Sequence, residues 1–261
     1  MTTPTPPPAS PTTGDRAHSF NSAAAQYAAN RPSYPPALLD AVEELSGRPL
    51  TGARVADIGA GTGIATALLR ERGAEVIAIE PGVAMATEFR KNLPDVPVVR
   101  GDGDRLPLAD ASVDLVTYAQ SWHWTDPARS LPEALRVLRP GGAVALWWNL
   151  DALDVGWIAE QSRRVHRVFA HDADGEVRRV TGHAIDAPSG LDFIRRRIRW
   201  SRRVPLDVHL ANLGSHSIFL VSDEQTRTAF LTEERTHLLT HFPTAEIEET
   251  YDVELLLATH P

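Results

Sequence analysis

Short apolar runs alternate with longer helix-like stretches through the middle of the chain. The runs suit buried strands, and the segments between them have the character of helices. Five strands are predicted in this part, at residues 54–58, 75–79, 96–100, 113–119 and 143–148. Strands that alternate with helices in this way belong to a parallel sheet that is covered on both faces, so the pattern predicts an α/β fold.

The last third of the chain is ordered differently, with helices grouped between two strands. Arginine alternates with apolar residues from 193 to 204, which is the period of a strand. The other predicted elements are helices at 155–170, 206–221 and 224–242, a polar loop at 172–188 and a final strand at 247–258. At the other end of the chain, residues 1–15 are rich in proline and threonine, a composition that predicts disorder.

Between the first two strands the chain reads Val55-Ala-Asp-Ile-Gly-Ala-Gly-Thr-Gly63, and these glycines introduce the predicted helix at 64–71. A turn without Cβ atoms lets a ligand lie against the main chain at the start of a helix. The next strand ends at Glu80, about 20 residues beyond the loop, where a carboxylate can accept from both hydroxyls of a ribose. Loop and acid together predict a nucleoside site.

Two details of the loop separate the possible nucleoside ligands. A dinucleotide loop needs a third glycine where this chain has Ile64, so the close helix contact beside a pyrophosphate is missing. Asp57 ends the first strand, where its carboxylate can accept from an ammonium group. A ligand with a ribose, an amino acid part and no phosphate fits both details, and S-adenosylmethionine (SAM) is such a ligand.

Composition narrows the remaining possibilities. The chain has 261 residues, of which 43% are hydrophobic, enough for one large α/β domain with a cap. It contains no cysteine, so disulfides, thiolate catalysis and cysteine metal sites are excluded. The net charge of -8 argues against general nucleic-acid binding, and no apolar run has the length of a membrane span. Without the features of a signal peptide, the expected location is the cytoplasm.

Several motifs in a fixed order resemble the class I SAM-dependent methyltransferases, and within them the small-molecule type 11 group. After the glycine loop and Glu80 come Gly101-Asp-Gly-Asp-Arg-Leu-Pro107, Asp110-Ala-Ser-Val-Asp-Leu-Val116 and Leu138-Arg-Pro-Gly-Gly142. The resemblance implies a Rossmann-like, seven-stranded, mostly parallel sheet with an antiparallel final strand pair and a helical cap over the active site. The implied units are a disordered tail at 1–15, a helical lid at 16–50, a SAM-binding core at 51–150, and final strands with the substrate cap at 151–261.

The resemblance also implies which residues bind SAM. Asp102 would hydrogen-bond the adenine amino group while the backbone of Gly103 meets the ring, with Asp104 as the next candidate acid. Arg31 would pair with the carboxylate of SAM or with that of an acceptor. The predicted cofactor-binding residues are Tyr27, Arg31, Asp57, Gly59, Ala60, Gly61, Gly63, Glu80, Pro81, Asp102, Gly103, Ala119 and Gln120.

The segment Gln120-Ser-Trp-His-Trp124 follows the fourth strand, at the edge where open α/β sheets bind ligands. His123 has two interpretations: a general base that takes a proton from the acceptor, or a structural histidine between packing tryptophans. One of the two tryptophans is expected to wall the acceptor pocket and the other to lie in the core. The predicted substrate residues are Tyr34, Trp122, Trp124 and Asn149, although a turn residue is an equal alternative for Asn149.

The implied reaction is direct methyl transfer from SAM to an oxygen, nitrogen or carbon atom of a small molecule, in specialised metabolism. The expected partner is that acceptor, with no nucleic acid or membrane, and the expected state is a monomer or homodimer. Two alternatives stay open, a SAM- or nucleotide-binding protein without catalysis and an NAD-dependent oxidoreductase, the latter disfavoured by Ile64 and Asp57. No metal is expected, although His237 and His241 lie one helical turn apart.

Overall fold

A computed structural model describes residues 30–169 and 187–260, which form one mixed sheet of seven strands flanked by helices. The strands are β1 (Arg54–Ile58), β2 (Glu75–Ile79), β3 (Val98–Val99), β4 (Val113–Ala119), β5 (Leu138–Asp151), β6 (Ile194–Pro205) and β7 (Glu246–Thr259). Their spatial order is β3-β2-β1-β4-β5-β7-β6. The first five are parallel, and β7 runs antiparallel to both β5 and β6. The predicted Rossmann-like sheet with an antiparallel final pair is confirmed.

Strands β1, β2 and β4 have the predicted bounds, whereas β3 is shorter and β5 longer than predicted. The extension of β5 includes Gly141 and Gly142, which the sequence pattern assigns to a turn. A Cβ atom at Gly142 would stand 2.9 Å from the carbonyl oxygen of Asp114 on β4. Glycine therefore lets the start of β5 approach β4 more closely than any other residue would.

The helices that accompany the sheet follow the predicted pattern with one break. They are α1 (Pro36–Ser46), α2 (Ile64–Glu71), α3 (Val83–Asn92), α4 (Pro127–Val137), α5 (Gly156–Phe169), α6 (Leu206–Gly214), α7 (Ser217–Leu220) and α8 (Glu224–His241). The helix predicted at 206–221 is divided into α6 and α7 at Ser215 and His216. The hydroxyl of Ser215 donates to the carbonyl of Asn212 at 2.6 Å, a local bond that competes with helix continuation.

Alternate residues of β5 enter two separate cores, as expected for a strand buried on both faces. Trp147 packs with Leu38 of α1 on one side of the sheet. Trp148 packs with Leu131 of α4 on the other side. Full burial of one such side chain contributes roughly 1.5–3 kcal/mol. The two cores fix the sheet between its helices and so define the edge at which its parallel strands end.

Helices α6, α7 and α8 form the cap, defined here as residues 206–241, which lies between β6 and β7 in the sequence. A buried polar network joins this cap to the sheet and to α5. His209 of α6 bonds Glu249 of β7 at 2.7 Å and Gln161 of α5 at 2.9 Å. Gln161 and Arg164 both donate to Glu234 of α8, at 3.0 and 2.7 Å. Because a buried polar group is costly without its partner, this network fixes where the cap stands.

The arginine-rich run at 195–203 lies on β6, the last strand of the sheet. Its arginines pair with acids of β7. Arg202 meets Glu249 at 2.6 Å, Arg199 meets Asp252 at 2.9 Å, and Arg195 also bonds an acid of that strand. These ion pairs account for the basic run as part of the sheet. The domain boundaries inferred from the sequence stay predictions, and the tail at 1–15 and the start of the lid lie outside the described residues.

Candidate active site

The three loop glycines after β1 all have positive φ, +67° at Gly59, +59° at Gly61 and +95° at Gly63, which is why glycine suits them. A Cβ at Gly59 would stand 2.5 Å from that of Ser121, and one at Gly63 would stand 2.7 Å from Leu93. At Gly61, no heavy atom of the described residues lies within 4 Å of the position of a Cβ. Packing thus requires the outer two glycines, and the space above Gly61 is open to a ligand.

Glu80, at the end of β2, is 6% exposed and joins the glycine loop to the start of α3. Its Oε2 accepts from the backbone N–H of Gly61 at 2.8 Å, and its Oε1 accepts from that of Gly82 at 2.6 Å. Burial raises the pKa of Glu80, while these two backbone bonds act in the opposite direction. Each carboxylate oxygen keeps a further acceptor site, so the group can receive two more hydrogen bonds from the cleft.

Asp57 lies beneath the loop and does not line the cleft, contrary to the prediction that it receives an ammonium group. It is 0% exposed. Its oxygens accept from the hydroxyls of Thr66 at 2.6 Å and Thr117 at 2.9 Å. Burial raises the pKa of Asp57 to about 6. Because its hydrogen bonds run to α2 and β4, this carboxyl holds the start of the glycine loop against the sheet.

Asp102, Gly103 and Asp104 also line the cleft. Oδ1 of Asp102 accepts from the backbone N–H of Asp104 at 3.0 Å, so one oxygen orders the turn. At Gly103 a Cβ would stand 2.9 Å from Thr125, which explains the glycine. Asp104 accepts from the hydroxyl of Ser130 at 2.6 Å and thereby ties the turn to α4.

The end of β4 gives the cleft a strained backbone position. Gln120 has φ of +59°, an unusual value for a residue with a side chain, and its N–H donates to Trp147 at 2.8 Å. The next residue, Ser121, donates its hydroxyl to the carbonyl of Ile58 at 2.5 Å. These bonds join β4 to β5 and β1. The backbone from Ala119 to Ser121 therefore turns along the cleft at a fixed angle.

His123 borders the cleft, and its hydrogen bond settles its tautomer. The indole N–H of Trp148 donates to Nδ1 of His123 at 3.2 Å. An indole can only donate, so Nδ1 must be the acceptor and the neutral imidazole carries its proton on Nε2. Desolvation by the surrounding protein lowers the pKa of His123 to about 4. The free nitrogen is thus a hydrogen-bond donor, which argues against the predicted general base.

The two tryptophans of the same segment lie in different surroundings. Trp124 lines the cleft, with its ring 4.5 Å from that of His123. Trp122 is 4% exposed and packs edge-on against Tyr118 in the core, so it is not available to a substrate. Tyr34, also predicted at the substrate, is 8% exposed and packs edge-on against Trp147. Both of these aromatic residues build the walls behind the cleft.

The side chain of Asn149 also has a structural role. Its amide donates to the carbonyl of Ser33 at 3.1 Å and accepts from the indole of Trp200 at 2.9 Å. The side chain thus ties the segment before α1 to β5 and β6, and the predicted substrate contact is not supported. Tyr27, predicted to cover the cofactor, lies outside the described residues.

Arg31 and the junction of α6 and α7 close one end of the cleft. Arg31 donates through Nη2 to the carbonyl of Ser215 at 3.3 Å. His216 and Ser217 line the cleft beside it. Burial, together with the positive charge of Arg31, lowers the pKa of His216 well below its usual range, so its imidazole is neutral. The cap therefore supplies part of the cleft wall, as the sequence resemblance implies.

The cleft has a volume of about 220 Å³ and combines residues from both halves of the chain. It brings together the predicted residues Arg31, Gly59, Gly61, Glu80, Pro81, Asp102, Gly103, Ala119, Gln120, His123 and Trp124. Predicted residues that do not line it are Asp57, Ala60, Gly63, Tyr34, Trp122 and Asn149. Residues that sequence reasoning missed include Ser121, Thr125 and Met85, and in the cap His216 and Ser217. The first two belong to the motif after β4, whereas the cap residues have no local sequence signal.

Other kinds of site find little support in the part of the chain that is described. Residues 30–169 and 187–260 contain no group of three or more histidine, aspartate and glutamate side chains placed to hold a metal ion. His237 and His241 face Glu233 at 3.5 Å and Glu160 at 3.9 Å, each with a separate partner. No helix among the described residues combines the length and apolar character needed to cross a membrane.

Comparison with known proteins gives a consistent result. The family profile described as a methyltransferase domain matches residues 56–146. An uncharacterised methyltransferase of Mycobacterium tuberculosis is 37% identical over 228 residues, which cover 87% of this chain and 88% of the relative. A demethylmenaquinone methyltransferase of Beutenbergia cavernae is 41% identical over 106 residues, covering 40% of this chain and 43% of that protein. A solved structure of a proposed type II methyltransferase from Anaeromyxobacter dehalogenans matches with a TM-score of 0.67 and 25% identity, over 88% of this chain and 97% of the other.

Proposed function

The chain belongs to the class I SAM-dependent methyltransferases, and from this premise we propose that it methylates a small molecule held between the cleft and the cap. SAM carries its methyl group on a sulfonium and so supplies an activated donor. The work of the protein is then to align the acceptor with the methyl group and to exclude water. The alignment depends on where the two ends of SAM are held.

The main support for the proposal comes from the residues expected to bind the ribose of SAM. Glu80 fixes the backbone of Gly61 and Gly82 and keeps acceptor capacity toward the cleft, directly beside the open space above Gly61. A carboxylate with this geometry can accept from the two hydroxyls of a ribose. The absence of a Cβ at Gly61 lets the ligand lie against the loop. This combination of acid and bare backbone supports SAM as the ligand.

The adenine and the carboxylate of SAM also have candidate partners in the cleft. The described hydrogen bonds of Asp102 use only Oδ1, which leaves Oδ2 for the adenine amino group. At the other end, the guanidinium of Arg31 lies at the cleft and suits a carboxylate. The backbone of Ala119 and Gln120 borders the space between them. SAM would thus extend across the carboxyl ends of the parallel strands, which is the usual ligand position in open α/β sheets.

The acceptor is proposed to bind beside His123, Trp124 and the cap. His123 offers an N–H at Nε2 that can orient an oxygen of the acceptor, and Trp124 offers an aromatic face. The cap lines this part of the cleft through His216 and Ser217, and the whole cleft has a volume of about 220 Å³, which supports a small molecule as acceptor. The demethylmenaquinone methyltransferase among the relatives supports this choice, since its name specifies a small-molecule acceptor.

Ligand titration separates this proposal from a dinucleotide-dependent enzyme. We expect SAM and S-adenosylhomocysteine to bind in calorimetry and NADH to show no heat of binding, because Ile64 stands where a dinucleotide loop needs glycine. Transfer of labelled methyl groups from SAM to an extract of small metabolites then tests for an acceptor, and the same extract freed of small molecules is the control. Binding of NADH in preference to SAM would refute the proposal.

A further inference from the structure

Two polar side chains near the end of the cleft that Arg31 closes have no hydrogen-bond partner among the described residues. Asp151 is the last residue of β5 and lies opposite Tyr251 of β7. Among residues 30–169 and 187–260, no hydrogen bond or ion pair reaches its carboxyl group, although part of its surface is accessible. The ring of His216, which lines the cleft, likewise has no hydrogen-bond partner within the described part of the chain. A polar group surrounded by protein is costly without a partner, so such groups mark a place for a ligand or water.

The surroundings of Asp151 place it near that end of the cleft. The charged and titratable groups that face it are Arg31 before α1, His209 of α6, and Glu249 and Tyr251 of β7. Arg31 also faces His216, and both line the cleft. Desolvation raises the pKa of Asp151 to about 6, with His209 and Arg31 acting against the shift and Glu249 acting with it. The carboxyl group is therefore enclosed by protein on several sides while it keeps some accessible surface.

Resting on the proposed methyl transfer, we propose that Asp151 is the general base of the reaction and that the acceptor is a neutral hydroxyl or amine. As the acceptor's oxygen or nitrogen forms its bond to the methyl carbon, the carbon–sulfur bond breaks and sulfur keeps that electron pair. The proton of the hydroxyl or amine passes to the Asp151 carboxylate, which becomes a neutral carboxylic acid and later releases the proton to water. No other reactant is needed.

His123 and His216 are less suited than Asp151 to act as the general base. His123 already carries its proton on the nitrogen that is not bonded to Trp148, so it donates rather than accepts. His216 faces the positive charge of Arg31, which disfavours an imidazolium there. Asp151 has the opposite relation to Arg31, because a nearby positive charge favours its ionised form, the one a base requires. Its pKa also lies near the pH of the reaction, the condition under which a base is most effective.

The first test compares D151N with D154N, a matched change three residues along at a carboxylate that is 63% exposed and paired with Arg199. The probes are phenol, benzyl alcohol, benzylamine and benzoate, with radiolabelled SAM as methyl donor. Phenol, benzyl alcohol or benzylamine should be methylated in preference to benzoate. D151N should slow that reaction by roughly 10²–10⁴-fold and remove a rise in rate with pH centred near 6, whereas D154N should leave both unchanged.

The second test needs no acceptor. In protein labelled with ¹³C at aspartate carboxyls, the resonance that D151N removes should titrate near pH 6 with S-adenosylhomocysteine bound. Calorimetry on the same samples should give equal SAM affinity for wild type and D151N. A preference for benzoate, an unchanged rate in D151N, or titration of the Asp151 resonance near its ordinary value of 3.8 would each overturn the assignment. Loss of SAM binding in the wild type would instead refute the proposed function.

Discussion

Glu80 holds the glycine loop, because each of its carboxylate oxygens accepts a backbone N–H. The same carboxylate is expected to bind the ribose of SAM. We expect Glu80→Ala to weaken SAM binding strongly, because hydrogen bonds to a charged acceptor contribute roughly 1.5–3 kcal/mol each and the loop loses its anchor. Calorimetry measures the change. Glu75→Ala is the control, as Glu75 begins the same strand with a side chain that is 70% exposed. Equal affinities for the two variants would remove Glu80 from the site.

The hydrogen bond between Trp148 and His123 predicts which ring nitrogen of His123 carries the proton. Nitrogen NMR of the wild type should show the His123 ring protonated at Nε2 and neutral across pH 5 to 8, in line with its pKa of about 4. Trp148→Phe removes the indole donor, so both tautomers become accessible and the ring should protonate at a higher pH. A wild-type ring protonated at Nδ1 would contradict the geometry and restore the interpretation of His123 as a base.

Asp57 gives a pH dependence whose sign can be worked out. Its pKa is raised from 3.8 to about 6, so between these values the folded state holds a proton that the unfolded state has lost. Its contribution to stability is therefore most favourable at low pH and is lost as the pH rises through about 6. Each unit of difference corresponds to about 1.4 kcal/mol.

Asp57→Asn keeps the size of the side chain and removes the charge. Denaturant unfolding at several pH values should show the wild type losing stability relative to the variant between pH 4 and 7. Asp151, whose pKa is raised in the same direction, is present in both proteins and cancels in the difference. Curves that stay parallel over this range would mean that the Asp57 carboxyl ionises freely in the folded protein.

The glycine loop is an element whose backbone and ligand roles can be separated. Gly61 and Gly47 have similar φ values, +59° and +67°, and at neither does a described heavy atom lie within 4 Å of the position that a Cβ would take. Valine at either site should therefore cost similar stability through backbone strain. Only Gly61→Val should abolish SAM binding, because its side chain would occupy the ligand space. Thermal unfolding and SAM titration on the same samples decide this, and SAM binding by Gly61→Val would reduce the loop to a turn.

The elements themselves were largely predictable from local pattern, and the exceptions have tertiary causes. β1, β2 and β4 are apolar runs bounded by polar residues or glycine, so their bounds follow from the sequence. β5 starts earlier because Gly142 fits against the backbone of β4, a contact between distant residues. At the break between α6 and α7, the hydroxyl of Ser215 bonds the carbonyl of Asn212. Neither cause is visible in hydrophobic periodicity.

The cofactor side of the site was more predictable than the acceptor side for a similar reason. Gly61 and Glu80 belong to one strand–loop–helix–strand unit, so their spacing alone carries the information. His216 and Asp151 each approach Arg31 only in the folded chain, and their sequence neighbourhoods contain no motif. The sequence predicts Tyr34, Trp122 and Asn149 at the substrate, but in the structure these side chains pack in the core or bond neighbouring elements.

At the scale of the whole molecule, the buried network that holds the cap should matter for the acceptor more than for SAM. Arg164→Met leaves Glu234, which is 1% exposed, without its ion-pair partner, and removal of one member of a buried pair costs roughly 3–5 kcal/mol. The variant should lose stability by that amount, and KM for an acceptor should rise more than Kd for SAM. Arg163→Met is the control, since Arg163 is exposed and, among the described residues, bonds only the carbonyl of Ala159. Equal destabilisation by both changes would contradict this role of the network.

The arginines of β6 have a consequence for how molecules meet in concentrated solution. β6 is the outermost strand, and an outermost strand offers unpaired backbone groups to which another chain can add. If two copies aligned their β6 strands antiparallel, arginines of the two copies would stand opposite one another, which would bring like charges together and compete with their ion pairs to the acids of β7. The edge thus resists self-addition while remaining open to water. Since salt screens such repulsion, this protection should weaken as ionic strength rises, and light scattering at increasing salt concentration would record it.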